Sequence, residues 1–193
     1  MIKLKEKIAY GFGDMASSMF WKLFGMYLMI FYTDVYGLPA AVVGTMFLIT
    51  RVWDSLFDPI VGVIADRTHT RWGKFRPYLL FTAVPFGLIG VLTFTTPDLS
   101  YTGKVIYAYI MYSLMMMIYS LINVPYASLL GVMSAKPSER HILSTYRMAF
   151  AYIGSFFASL LIEPLVEIFS RTGNPAAPNL QLGWQLAVSV IAL

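Results

Sequence analysis

Residues 40–65 read AAVVGTMFLITRVWDSLFDPIVGVIA, an apolar run with Arg51, Asp54 and Asp58 set inside it. A membrane span needs about 20 mostly apolar residues, and this run meets that length. A charge at the centre of a span costs roughly 2.5–3.5 kcal/mol to insert, so all three facing lipid would cost on the order of 8–10 kcal/mol. At about 100° per residue they fall within an arc of about 60°, with Gly44 and Gly62 on the same side. One stripe of this helix therefore faces other protein or a watery cavity. Arg51 is expected to form a structural ion pair with one of the acids. It cannot neutralise both, and a spare carboxylate beside its twin calls for a proton or a metal cation.

The rest of the chain repeats the span pattern. Apolar runs lie at about 8–32, 40–65, 78–95, 104–133 and 145–169, with a partial sixth at 184–193. Breakers separate them: Gly37-Leu38-Pro39, Thr96-Pro97-Asp98, Lys136-Pro137-Ser138 and Asn174-Pro175-Ala176-Ala177-Pro178. Nothing alternates as a strand would, so the fold class is an all-α polytopic membrane bundle. The short sixth run leads to the expectation that the chain, 1–193, is one half-domain of something about twice as long. Only 12% of residues are charged, about half the share of a soluble domain. The net charge of +4 sits in short loops between apolar runs, which argues against a nucleic-acid partner. There is no cysteine, which excludes disulfides, thiolate metal sites and cysteine nucleophiles.

Two more helices carry polar faces. Asp14, Ser18, Trp21, Lys22 and Gly25 lie within an arc of about 100° on the first span. An acid, a hydroxyl, an indole and an amine suit a polyol: the indole covers the apolar face of a sugar while the others hydrogen-bond its hydroxyls. An Asp14–Lys22 pairing that serves packing is the plainer alternative. On the fourth span Tyr112, Met116, Tyr119 and Asn123 share a face with Ser120 at its edge, and Pro125 opens the backbone just beyond. Arg147, near the start of the fifth span, is within reach of the same cavity or of the interface.

These residues fall into ordered motifs: Tyr10-Gly11-Phe12-Gly13-Asp14, Tyr32-Thr33-Asp34-Val35, and Arg51-Val52-Trp53-Asp54 continuing to Asp58-Pro59. Arg71-Trp72-Gly73-Lys74-Phe75-Arg76-Pro77-Tyr78, Asn123-Val124-Pro125-Tyr126, and Glu139-Arg140 through Tyr146-Arg147 follow. Together they closely resemble the glycoside–pentoside–hexuronide:cation symporters, the melibiose-carrier-like branch of the major facilitator superfamily. The resemblance implies the N-terminal six-helix half of a twelve-helix transporter that alternates access by rocking its halves. It implies a multi-pass protein of the plasma membrane, the inner membrane in bacteria. Its partners would be a small-molecule sugar, the lipid bilayer and the C-terminal half, with no cofactor beyond a coupling Na⁺ or H⁺ and no enzymatic activity.

Residue by residue, Asp54 and Asp58 match the family's cation-site carboxylates and would be the Na⁺ ligands if sodium couples. Ser120 stands where a hydroxyl completes that site. Asp14, Ser18, Trp21, Lys22, Tyr119, Asn123 and Arg147 are the candidate sugar-binding residues. The melibiose carrier binds its galactosyl unit through two carboxylates at the positions of Ser18 and Asn123, with an aromatic at that of Ala127. These departures count against galactosides; Asp14, one turn before Ser18, and Asn123 resemble the pentoside and glucuronide branches instead, and a lysolipid carrier of the same family is a further alternative. From another class, Gly11-Phe12-Gly13-Asp14 spells the G-x-G-D of intramembrane aspartyl proteases. Such an enzyme needs a second aspartate after a Tyr, whereas Asp54 and Asp58 follow Trp53 and Phe57.

Loop charges set the expected orientation. Lys3, Lys5 and Lys7 precede the first span, and Arg67, Arg71, Lys74 and Arg76 follow the second, which places the N-terminus and the 66–76 loop in the cytoplasm. A single cysteine introduced at Thr70 is expected to resist an impermeant maleimide in intact cells and to react once the membrane is opened. Labelling in intact cells would invert the topology.

Overall fold

In the computed structural model, which describes residues 2–172 and 177–192, all regular structure is helical. Helix α1 runs over residues 4–35 and is not uniform. It opens as Leu4–Lys22, widens into a π-helical turn at Leu23–Tyr27, tightens at Leu28–Ile30 and widens again at Phe31–Val35. Helices α2 (Ala40–Arg67), α3 (Arg76–Thr93), α4 (Tyr101–Met133), α5 (Pro137–Ser170) and α6 (Leu180–Ala192) follow. Of these, α2 to α5 are each long and apolar enough to cross a membrane, and α6 is a shorter apolar helix.

The helices start where chain chemistry lets them. Pro77 and Pro137 sit in the first turns of α3 and α5, where a missing N–H costs nothing. The Ser100 hydroxyl caps α4 by accepting from the Gly103 N–H at 3.4 Å. Helix α5 begins at Pro137 rather than 145 and α6 at Leu180 rather than 184. Hydropathy locates the part of a helix in lipid, while the hydrogen-bonded helix continues into the polar turn beyond it. Of the breaker run 174–178, Asn174, Pro175 and Ala176 lie outside the described residues.

Helix α1 packs chiefly on α5, α2 on α4, α3 on α4 and α6, and α5 on α6. The α1–α5 and α2–α4 pairings each join a helix of the first three to one of the last three. Aromatic rings fill the space among α1, α3 and α6. Phe94 stacks on Trp184 at 5.7 Å between ring centroids and meets Phe31 at 5.0 Å. Lipid tails are as apolar as these side chains, so close packing rather than water exclusion holds such helices together. The α1–α5 contact shows how close. A Cβ on Gly154 would lie 2.5 Å from the Met15 carbonyl oxygen, so only glycine lets the two backbones meet.

Gly154→Ala is expected to lower the stability of the full-length protein in detergent by about 1–3 kcal/mol through overpacking. Gly44→Ala, where nothing lies within 4 Å of the added methyl, is expected to be neutral or slightly stabilising. Equal thermal midpoints for the two variants would show that the α1–α5 approach is looser than described.

Candidate functional site

The α2–α4 pairing brings the charged stripe of α2 against the polar face of α4. A cavity of about 330 Å³ lies between them. From α2 it is lined by Arg51, Asp54, Ser55 and Asp58; from α4 by Met116, Tyr119, Ser120 and Asn123; and from α1 by Trp21. The size is at the low end for a small-molecule site. Helix periodicity explains the lining: positions 116, 119, 120 and 123 share one face of α4 just as 51, 54, 55 and 58 share one of α2.

Within this cavity the charges are arranged differently from the sequence expectation. Arg51 makes no ion pair with Asp54 or Asp58. Its guanidinium lies 4.9 Å from the centre of the Trp21 ring, a cation–π contact. That corrects the reading of Arg51 as a structural ion pair. The indole is a planar acceptor within reach of the long side chain, and stacking leaves the guanidinium edge free to be solvated by the cavity. Trp21 in turn stacks on Tyr119 at 5.1 Å. One oxygen of Asp54, Oδ1, is buried with no hydrogen-bond partner, whereas Asp58 is exposed to the cavity. Ser120 on the facing helix is buried. No group of three or more His, Asp or Glu side chains stands together among the described residues. Two carboxylates and a hydroxyl match a singly charged hard cation or a proton better than a transition metal.

A smaller cavity of about 120 Å³ continues along α1 past Phe24 and Gly25, with Phe47 and Tyr112 on the other side. Trp21, Arg51 and Met116 line both spaces, so the stacked Trp21–Arg51 pair is a partition between them.

Asp14 and Arg147 are elsewhere. The Arg147 Nε lies 3.1 Å from Asp14 Oδ1, an ion pair that joins α1 to α5 with both side chains largely covered. Tyr10 and Tyr126 form its floor. Their rings stack at 4.7 Å, the Tyr126 hydroxyl donates to the Tyr10 carbonyl, and Arg147 sits 5.1 Å from the centre of the Tyr126 ring. The plainer Asp14–Lys22 pairing is not formed, because Arg147 takes the carboxylate. Lys22 is half-buried and makes no polar contact among the described residues. Ser18 is half-buried on α1 and does not line the cavity. The face drawn from Asp14 to Gly25 is therefore split, and the π-helical turn at Leu23–Tyr27 rotates everything after Lys22. Tyr119 stays with the cavity, where it stacks on Trp21.

Sequence reasoning missed Ser55 as a lining residue and the Tyr10–Tyr126 clasp around the ion pair. Spacing marked the first, one position after Asp54. Nothing local marked the second, since its partners are distant in the chain.

Residues 9–193 match a family described as MFS/sugar transport protein. The chain belongs to this family. Over its full length it is 44% identical to the inner membrane symporter YicJ of Escherichia coli K12, covering 41% of that protein. It is 39% identical over its full length to an isoprimeverose transporter of Lactiplantibacillus pentosus, covering 40% of it. Against a glucuronide carrier protein homolog of E. coli K12 it is 38% identical over 83% of this chain and 35% of that protein. The chain thus spans about two-fifths of the length of the first two relatives. With such relatives it falls among the glycoside–pentoside–hexuronide type of symporter, and their names are those of transporters, not enzymes. The protease alternative also lacks its geometry: Asp14 faces an arginine, not a second aspartate.

A double-mutant cycle on Asp14→Asn and Arg147→Gln in the full-length protein is expected to give a coupling energy of about 2 kcal/mol. That lies between the values for exposed and buried pairs. Additive losses of stability would mean that the pair contributes nothing to joining α1 and α5.

Proposed function

We propose that the protein to which this half belongs is a secondary active transporter that couples entry of Na⁺ or H⁺ to symport of a sugar or glycoside by alternating access. The observation that carries this reading is the Asp54 carboxylate oxygen, buried without a partner beside a second acid, while the neighbouring arginine is engaged on Trp21. A carboxylate so placed is stabilised by a bound cation or by taking up a proton. Asp54, Asp58 and Ser120 are assigned the coupling cation. Trp21, Tyr119 and Asn123, in the same cavity, are assigned the sugar.

The shared cavity makes coupling direct. The acids assigned to the cation and the platform assigned to the sugar line one cavity, so each occupant completes part of the other's site. Trp21 and Tyr119 are that stacked platform for the substrate. Each ligand therefore raises the affinity for the other, as linkage requires.

On substrate, the melibiose-type carboxylates are replaced by Ser18 and Asn123, which disfavours neutral galactosides. Asp14 already satisfies Arg147, so a uronate would have to displace it or use Lys22, which has no polar partner among the described residues. Pentosides and hexuronides fit this balance. The loop charges support a cytoplasmic N-terminus, and likeness to an inner membrane symporter supports a bacterial inner membrane.

In the full-length transporter, Asp54→Asn and Asp58→Asn are each expected to abolish stimulation of sugar uptake by the cation while some equilibrium sugar binding remains. Measuring uptake with and without Na⁺ at fixed pH, and across pH without Na⁺, separates the two cations. Unchanged dependence on both in both variants would refute the assignment.

A further inference from the structure

The loop between α2 and α3 stands apart from the transport cavity and, with the first residue of α3, carries Arg71, Lys74 and Arg76 close together. It is a built turn rather than a loose tether. The Thr70 hydroxyl donates to the Gly73 carbonyl at 2.7 Å and accepts from the Trp72 N–H at 3.2 Å. Gly73 holds a φ of +96°, which an L side chain rarely adopts. The Thr68 and Tyr78 hydroxyls, 2.6 Å apart, tie the two ends of the turn together. Beneath it a groove of about 1190 Å³ opens between the start of α3 and the end of α4.

We propose that this groove seats an anionic phospholipid of the adjoining leaflet. Its phosphate would be held by Arg71, Lys74 and Arg76, and an acyl chain would lie along α3 and α4. All three cations line the groove, and none pairs with a carboxylate among the described residues. Uncompensated charge beside an apolar wall is the arrangement that recognises a lipid phosphate at the membrane surface. Trp72, partly exposed, lies under the Arg71 guanidinium at 4.6 Å and meets Phe81 at 5.7 Å. An indole at this depth is a headgroup-level anchor. Below it Leu80 and Val132 are open to the surroundings, giving the groove a hydrocarbon-compatible wall. A soluble phosphate compound would gain from the cations but not from that wall. This inference does not depend on the sugar reading.

Native mass spectrometry of the full-length transporter, titrated with phosphatidylglycerol in detergent, tests it, because detergent removes the general attraction of a charged leaflet. Arg71→Gln with Lys74→Gln is expected to weaken the tightest phosphatidylglycerol affinity about 25-fold, at about five-fold for each direct charge pair lost. Lys5→Gln with Lys7→Gln, an equal loss of charge at the N-terminus, is expected to leave it unchanged. Trp72→Phe, which keeps the ring and the fold, is expected to weaken it modestly, and inorganic phosphate is not expected to compete. Phosphatidylcholine bound as tightly as phosphatidylglycerol, competition by phosphate, or equal affinity in the native protein and the Arg71/Lys74 variant would each overturn the proposal. The last result is also what coverage of the groove by another part of the full-length chain would produce.

Discussion

Hydrocarbon does not solvate charge, and the arrangement of these helices follows from where the intramembrane charges go. Among them are Asp14, Lys22, Arg51, Asp54, Asp58 and Arg147. One acid and one base are spent on each other in the Asp14–Arg147 pair, which fastens α1 to α5. Two acids and an arginine on α2 remain, and they turn toward α4, where a polar face can meet them. The first arrangement builds the half-domain. The second leaves two acids in the α2–α4 cavity without an ionic partner among the described residues.

This division gives α1 a double role. Near its start it is locked to α5 by the ion pair, by the Tyr10–Tyr126 clasp and by the glycine contact at Gly154. At Trp21 it reaches into the α2–α4 cavity, and immediately afterwards its hydrogen bonding widens into a π turn. Wide turns of this kind recur where a helix must present a side chain out of regular register. The stacked Tyr119, Trp21 and Arg51 therefore connect the α1–α5 pair to the charged stripe of α2.

Arg51 illustrates why a helical wheel is a poor guide to partners. The wheel places it beside Asp54 and Asp58, and Coulomb's law favours a pair. A guanidinium at the end of a flexible stem nevertheless samples a sphere that includes neighbouring helices, and an indole on α1 lies in it. With Arg51 on Trp21, the two acids keep their charge available. The same reach explains why Asp14 meets Arg147 rather than Lys22, one face of its own helix notwithstanding.

Much of this protein was legible in the sequence, because the constraints concerned were local. Span length, the absence of strand periodicity, loop charge and the α2 stripe of Arg51, Asp54 and Asp58 each depend on residues within a few turns of one another. So does the face of Tyr119, Ser120 and Asn123 on α4. These determined an all-α membrane bundle and a family. Only the tertiary structure decided which faces meet. It set Asp14 against Arg147, Arg51 against Trp21 and Tyr10 against Tyr126, left Ser18 outside the cavity, and gave the Asp54 oxygen no partner. Helical periodicity fixes a side chain's direction from its own axis. Its neighbour depends on how far each helix is rotated and how closely it approaches, and those follow from the packing of all six helices at once.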